Sequence, residues 1–158
     1  MENHAKENAK AKMESIVALV DSLSVDFDNL NDYRDGIDLD RDDIACALDD
    51  LKTIEGADCD NATSADDIIE RIHEMPLSVE VRSEWHAPGE LPTWGEYRIL
   101  LTWGGPACQI VGALNEHKEP ESADIQYQDW GTGWESLSLT NEEQSALLLF
   151  ASHFYFGE

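Results

Sequence analysis

Met75-Pro-Leu-Ser-Val-Glu-Val-Arg82 is the stretch in which the chain changes its period. Upstream of it, apolar residues recur at three- and four-residue spacings, the pattern of amphipathic helices. From Leu77 onward, Leu77, Val79 and Val81 alternate with Ser78, Glu80 and Arg82, the two-residue period of a half-buried strand. Pro76 divides the two regimes, because it lacks an N–H and biases the residue before it away from helix. Helices first and strands afterwards predict an α+β fold.

Working upstream, a helix is expected over residues 5–23, with Ile16, Val17, Leu19, Val20 and Leu23 on one side. A second is expected over 40–54, with Ile44, Ala47, Leu48, Leu51 and Ile54 as its buried stripe. A third begins at Ser64, where Ser64 and Asp67 approximate a capping box ahead of Ile68, Ile69 and Ile72. Working downstream, strands are expected over Tyr97–Trp103, Cys108–Leu114 and Ala123–Trp130. Gly104-Gly-Pro106 marks a turn, and Asn115–Ser122 reads as a polar loop. Thr140-Asn-Glu-Glu143 is a full capping box opening a helix through Ala146, Leu147, Leu149 and Phe150. The expectation is an acidic helical region over 1–76, then an antiparallel sheet of about four strands with a C-terminal helix packed on it over 77–158. The two regions are read either as separate units or as one compact domain.

Charge is the outlying property. The chain has 158 residues, 34 acidic and 10 basic, formally −24, with a hydrophobic fraction of 42% that suffices for one core. A polyanion of this kind repels nucleic acid and anionic lipid, since both are held by Lys and Arg. Direct binding to either is excluded as an expectation, and any partner is expected to be basic. No apolar run is long enough for a bilayer, and residues 1–13 lack the apolar centre of a signal peptide. Cys46, Cys59 and Cys108 are odd in number and show no CxxC pairing, which fits reduced thiols and a cytoplasmic location.

The acids are densest over 26–50, where Asp26, Asp28, Asp32, Asp35, Asp38, Asp40, Asp42, Asp43, Asp49 and Asp50 face only Arg34 and Arg41. Carboxylates three or four residues apart on a helix lie about 5–6 Å apart at Cβ. Such a surface can offer spaced negative points to a groove built for phosphates, and gains the same counterion release. The plainer reading is a solvated face that serves only solubility. Calcium is the chemical rival. Asn31, Asp35, Gly36 and Asp42 fall at positions one, five, six and twelve of an EF-hand loop, but Tyr33 at position three offers no suitable ligand and Asp42 stands where Glu is wanted. No metal site is expected.

Signals for chemistry are sparse. His86, in the loop Glu84-Trp-His-Ala-Pro-Gly89, can be combined with Cys108 and His117, but no HExxH, GxSxG, Walker or GxGxxG motif supports a site. Cys108 reads as a small buried apolar residue, and His73 and His153 as face residues on helices. No catalytic residue and no cofactor are expected. All five tryptophans follow Pro76, and most are expected in the core or at the rim of the sheet. Trp130-Gly-Thr-Gly-Trp134 differs, because two tryptophans bracket a glycine pair beside Asp129 and Glu135, the composition of a protein-binding hot spot.

Four segments, Trp85-His-Ala-Pro-Gly89, Tyr97-Arg-Ile-Leu-Leu101 leading into Gly104-Gly-Pro106, Tyr127-Gln-Asp-Trp-Gly131 and Phe154-Tyr-Phe-Gly-Glu158, resemble a family of small acidic proteins encoded by phages, prophages and other mobile elements. The resemblance covers residues 77–158 and brings no settled activity or catalytic residues. What it implies is an anti-defence context, in which DNA-mimicking inhibitors occur. The functional expectation is an anti-CRISPR or anti-restriction inhibitor binding a basic, nucleic-acid-handling host protein through the Asp-rich stretch. Two alternatives stand beside it: an adaptor using the aromatic sheet with Trp130 and Trp134, and a small metal-dependent hydrolase using His86.

Overall fold

The computed structural model describes residues 4–91, 93–104, 106–129 and 133–156. In chain order the elements are α1 (His4–Ser22), α2 (Phe27–Arg34), α3 (Arg41–Gly56), α4 (Ala65–Glu74), β1 (Ser78–Ser83), β2 (Trp94–Thr102), β3 (Ala107–Ala113), β4 (Asp124–Gln128), β5 (Glu135–Ser136) and α5 (Asn141–Ala151). The period change at Pro76 is thus a change from helix to strand, and the fold is α+β. All strand pairs are antiparallel, in the order β1-β2-β3-β4-β5. The fifth strand, a two-residue pairing of Glu135 and Ser136 with β4, adds to the four that alternation predicts.

α1 is the organising helix. Ala5, Ala9, Met13, Ile16 and Val20 repeat at helical spacing and are buried, so the apolar stripe runs back three turns beyond the Ile16–Leu23 cluster. Two alanines at the contact positions let the helix lie close to its neighbours. It packs against β3, β4 and α5 on one side and against α3 and α4 on the other. One continuous apolar cluster therefore joins residues on both sides of Pro76, from Met13 and Ile54 to Ile110, Ile125 and Phe150. α5 opens as its sequence predicts: Thr140 accepts a hydrogen bond from the Glu143 N–H, and the Glu143 carboxylate accepts one from the Thr140 N–H.

Register sets which strand residues meet α1. Val79, Ile99, Ile110 and Ile125 form one cross-strand row. The last three are fully buried, while Val79 is 38% exposed and Leu77 63%. β1 lies at the sheet edge, so of the expected half-buried alternation only Val81 is half-buried and packs against the core. The α3 stripe also needs correction. Ala47 and Ile54 are buried and Leu51 half-buried, but Ile44 and Leu48 stand exposed, because only the α1- and α2-facing side of α3 is covered. Ser64 is the N-cap of α4 without a side-chain cap; Asp67 instead accepts from the Thr63 N–H and hydroxyl.

Candidate functional site

The ten aspartates of residues 26–50 all lie on one helical hairpin, made of α2, the loop after it and α3. Sequence periodicity predicts no helix over Phe27–Arg34; α2 forms because Asp26 caps it, its carboxylate accepting from the Asn29 N–H at 3.1 Å. Asp40 caps α3 in the same way, accepting from the Asp43 N–H at 2.8 Å. The Asn29 amide donates to the Asp43 carbonyl at 2.9 Å, and the Asp26 N–H donates to the Asp50 carboxylate. The partner on α3 thus falls from Asp50 to Asp43 as the chain advances from Asp26 to Asn29, so the two helices run antiparallel.

The acids divide by role. Asp26 and Asp40 are caps, and Asp28, Asp42 and Asp43 occupy first turns, where carboxylates complement the positive end of the helix dipole. Asp50 ties the hairpin together. Asp32, Asp35, Asp38 and Asp49 make no hydrogen bond or ion pair through their carboxylates among the described residues. Spacing orders them further. Asp28, Asp32 and Asp35 follow one another at four and three residues, a single stripe about 10 Å long on the side of α2 away from buried Leu30. Asp42 and Asp49, two turns apart, form the matching stripe on α3, away from buried Ala47 and Ile54.

Among the described residues, none of the ten lies within 4.0 Å of a Lys, Arg or His nitrogen. Arg34 is turned aside: its guanidinium donates to the Ala62 carbonyl at 2.6 Å, the Asp60 carbonyl at 2.9 Å and the Asn31 Oδ1 at 3.4 Å. It clamps the loop before α4 to α2, a role that no spacing in the sequence signals. Burial raises the Asp50 pKa above the ordinary carboxylate value, and the neighbouring Asp26 and Asp49 carboxylates add to the rise, against the Asp26 N–H bond that lowers it. Nine of the ten are exposed and Asp50 is half-buried.

The calcium alternative does not fit this geometry. The first four positions of the supposed EF-hand loop, Asn31 to Arg34, are the last turn of α2, and a coordination loop cannot be helical there. Among the described residues no group of three or more His, Cys, Asp or Glu is placed to hold a metal ion. His86 and His117 are exposed in loops at one end of the sheet, whereas Cys108, paired with Thr102, lies at the other. Cys108 is fully buried, and burial pushes its thiol up to about 12.

Trp130 lies outside the described residues. Trp134 is half-buried and lines a pocket of about 680 Å³ on the sheet face turned away from α1. Two tryptophans depart from the core-or-rim expectation: Trp85 and Trp103 are 101% and 72% exposed. Among the described residues, no helix is long and apolar enough to cross a membrane. No family model, curated protein or solved structure matches the chain.

Proposed function

We propose that this chain is a non-enzymatic inhibitor that docks its α2–α3 hairpin into the cationic groove of a nucleic-acid-handling protein. The observation that carries the reading is a single hairpin bearing ten aspartates, none of them within ion-pair distance of a cation among the described residues, while Arg34, one of the two arginines among them, is engaged by backbone carbonyls. Uncompensated like charges weaken the free protein. A basic partner relieves that repulsion on binding, and the released counterions supply a driving force that grows as salt falls. The resemblance of residues 77–158 to small acidic proteins of mobile elements directs the choice of target to a CRISPR–Cas effector or a restriction enzyme in the cytoplasm.

The test is competition. The chain should displace duplex DNA from such a target, with affinity falling steeply between 50 and 200 mM salt, by about 10³-fold if six charges are engaged. Neutralising Asp28, Asp32, Asp35 and Asp49 to Asn leaves both caps intact, so any loss reports the surface and not the fold. The proposal requires at least a tenfold loss of competition; unchanged competition by a folded variant rejects it.

A further inference from the structure

On the opposite face of the sheet from α1, the row Ser78-Leu100-Gln109-Gln126-Ser136 crosses all five strands. Gln109 is only 5% exposed there. Its Nε2 donates to the Gln126 Oε1 at 2.9 Å, but its own Oε1 has no hydrogen-bond partner. Buried acceptors are rarely left unmade, and while this oxygen is itself covered from solvent, Gln109 lines the 680 Å³ pocket together with Trp134, a volume within the range of ligand sites. From the next rows, Arg98 donates to Glu80 at 3.0 Å and Arg82 pairs with Glu96, all four lining the same pocket. The lining is thus neutral in sum, with resident arginines already engaged and carboxylates that keep free acceptor positions.

We propose that this pocket receives an arginine side chain presented by the basic partner, which makes it a second point of contact remote from the hairpin. The chemistry selects that occupant in steps. An orphaned carboxamide oxygen calls for an N–H donor and disfavours anions, and a net charge of −24 draws cations to the surface. The guanidinium is planar, weakly hydrated and carries five donors in a fixed fork, so a rotation that turns the Gln109 carboxamide toward the pocket lets it donate to Oε1 and keep donors for a pocket carboxylate. It also stacks on an indole such as Trp134, which an ammonium does less well. For its source of arginine the inference rests on the basic partner proposed above, but the pocket itself can be tested without that partner.

The probe is N-acetyl-argininamide, titrated into the isotopically labelled full chain by NMR. Saturable shifts should appear at the Gln109 and Gln126 side-chain amides and the Trp134 indole N–H, and the neutral isostere N-acetyl-citrullinamide should bind about tenfold more weakly. Gln109→Leu keeps the volume and removes the acceptor, so argininamide affinity should fall by about tenfold. Trp134→Ala, on the rim of the pocket, provides a second variant that spares the strands, and should also weaken binding. The variant with Asp28, Asp32, Asp35 and Asp49 neutralised should retain the titration, so failure of the pocket and failure of the hairpin reading are separable. Shifts confined to the aspartates of the hairpin, equal binding of citrullinamide, the same shifts produced by inorganic phosphate, or full affinity in folded Gln109→Leu would each overturn the proposal.

Discussion

The hairpin and the outer face of the sheet handle charge in opposite ways. On the sheet, each arginine is opposed by a glutamate on the neighbouring strand, Arg98 by Glu80 and Arg82 by Glu96, so the charges are neutralised locally and help hold register. On the hairpin, ten carboxylates cluster, and Arg34, one of the two arginines among them, is drawn off to carbonyl oxygens. Local pairing stabilises a fold without reference to anything outside it. Unpaired charge of one sign leaves its compensation to solvent ions or to a partner. The contrast therefore separates a surface that is complete from one that is not.

The largest effect should come from attacking what the two regions share. Ile110 is fully buried in the apolar cluster that α1 joins to the sheet, and Ile110→Ala should cost about 2–5 kcal/mol. All five tryptophans follow Pro76 and four of the five helices precede it, so tryptophan fluorescence reports the sheet half and far-ultraviolet dichroism chiefly the helices. Both probes should shift together in urea. Two separated transitions would mean that the hairpin folds alone, and the comparison would then be between two independent units.

Next in size is the division within the hairpin. Asp26→Ala and Asp40→Ala each remove a cap and should cost about 1 kcal/mol. Asp32→Ala and Asp49→Ala should lie within about 0.5 kcal/mol of the parent, with relief of repulsion pushing them toward stabilisation. If all four substitutions cost alike in chemical denaturation, the distinction between capping and unpaired acids fails. On the sheet, a double-mutant cycle across Arg98 and Glu80 should give a coupling of about 0.2–1 kcal/mol, since the pair is exposed. That coupling should shrink in 1 M salt, while the hairpin gains stability from the same salt.

Local signals carried far in the sequence, and contact signals did not. The period change at Pro76 and the Thr140–Glu143 capping box appear in the structure as read, because both depend on a few adjacent residues. α2 was hidden because Phe27–Arg34 has too few apolar residues to show a period, and a single cap at Asp26 decides it. Periodicity places Ile44 and Leu48 in the buried stripe of α3 because it finds an apolar stripe but not which part of it a neighbour covers. The acid density of 26–50 was legible as composition; its partition into caps and unpaired charges requires to know where helices start. Gln109 carried no signal at all. A glutamine in a strand becomes notable only when burial and an unmade hydrogen bond coincide.

The smallest expected effect is the most discriminating, because two aspartates should respond with opposite sign. Asp67 is held below the ordinary carboxylate value by hydrogen bonds from the Thr63 N–H and hydroxyl. Its ionised form favours the folded state, so its contribution is full above the unfolded value of 3.8 and disappears as pH falls through the lower folded value. Asp50 is held above 3.8, first by burial and then by Asp26 and Asp49. Its ionised form disfavours the folded state, so its penalty is full at neutral pH, is lifted as pH falls through the raised folded value, and is gone below 3.8. At pH 7, Asp67→Asn should therefore lower the thermal midpoint and Asp50→Asn should raise it, the asparagine still accepting from the Asp26 N–H. At pH 3 both differences should shrink. Destabilisation by both substitutions at pH 7 would mean that Asp50 acts chiefly as an acceptor tying α3 to α2, and that crowding of charge on the hairpin is not what limits its stability.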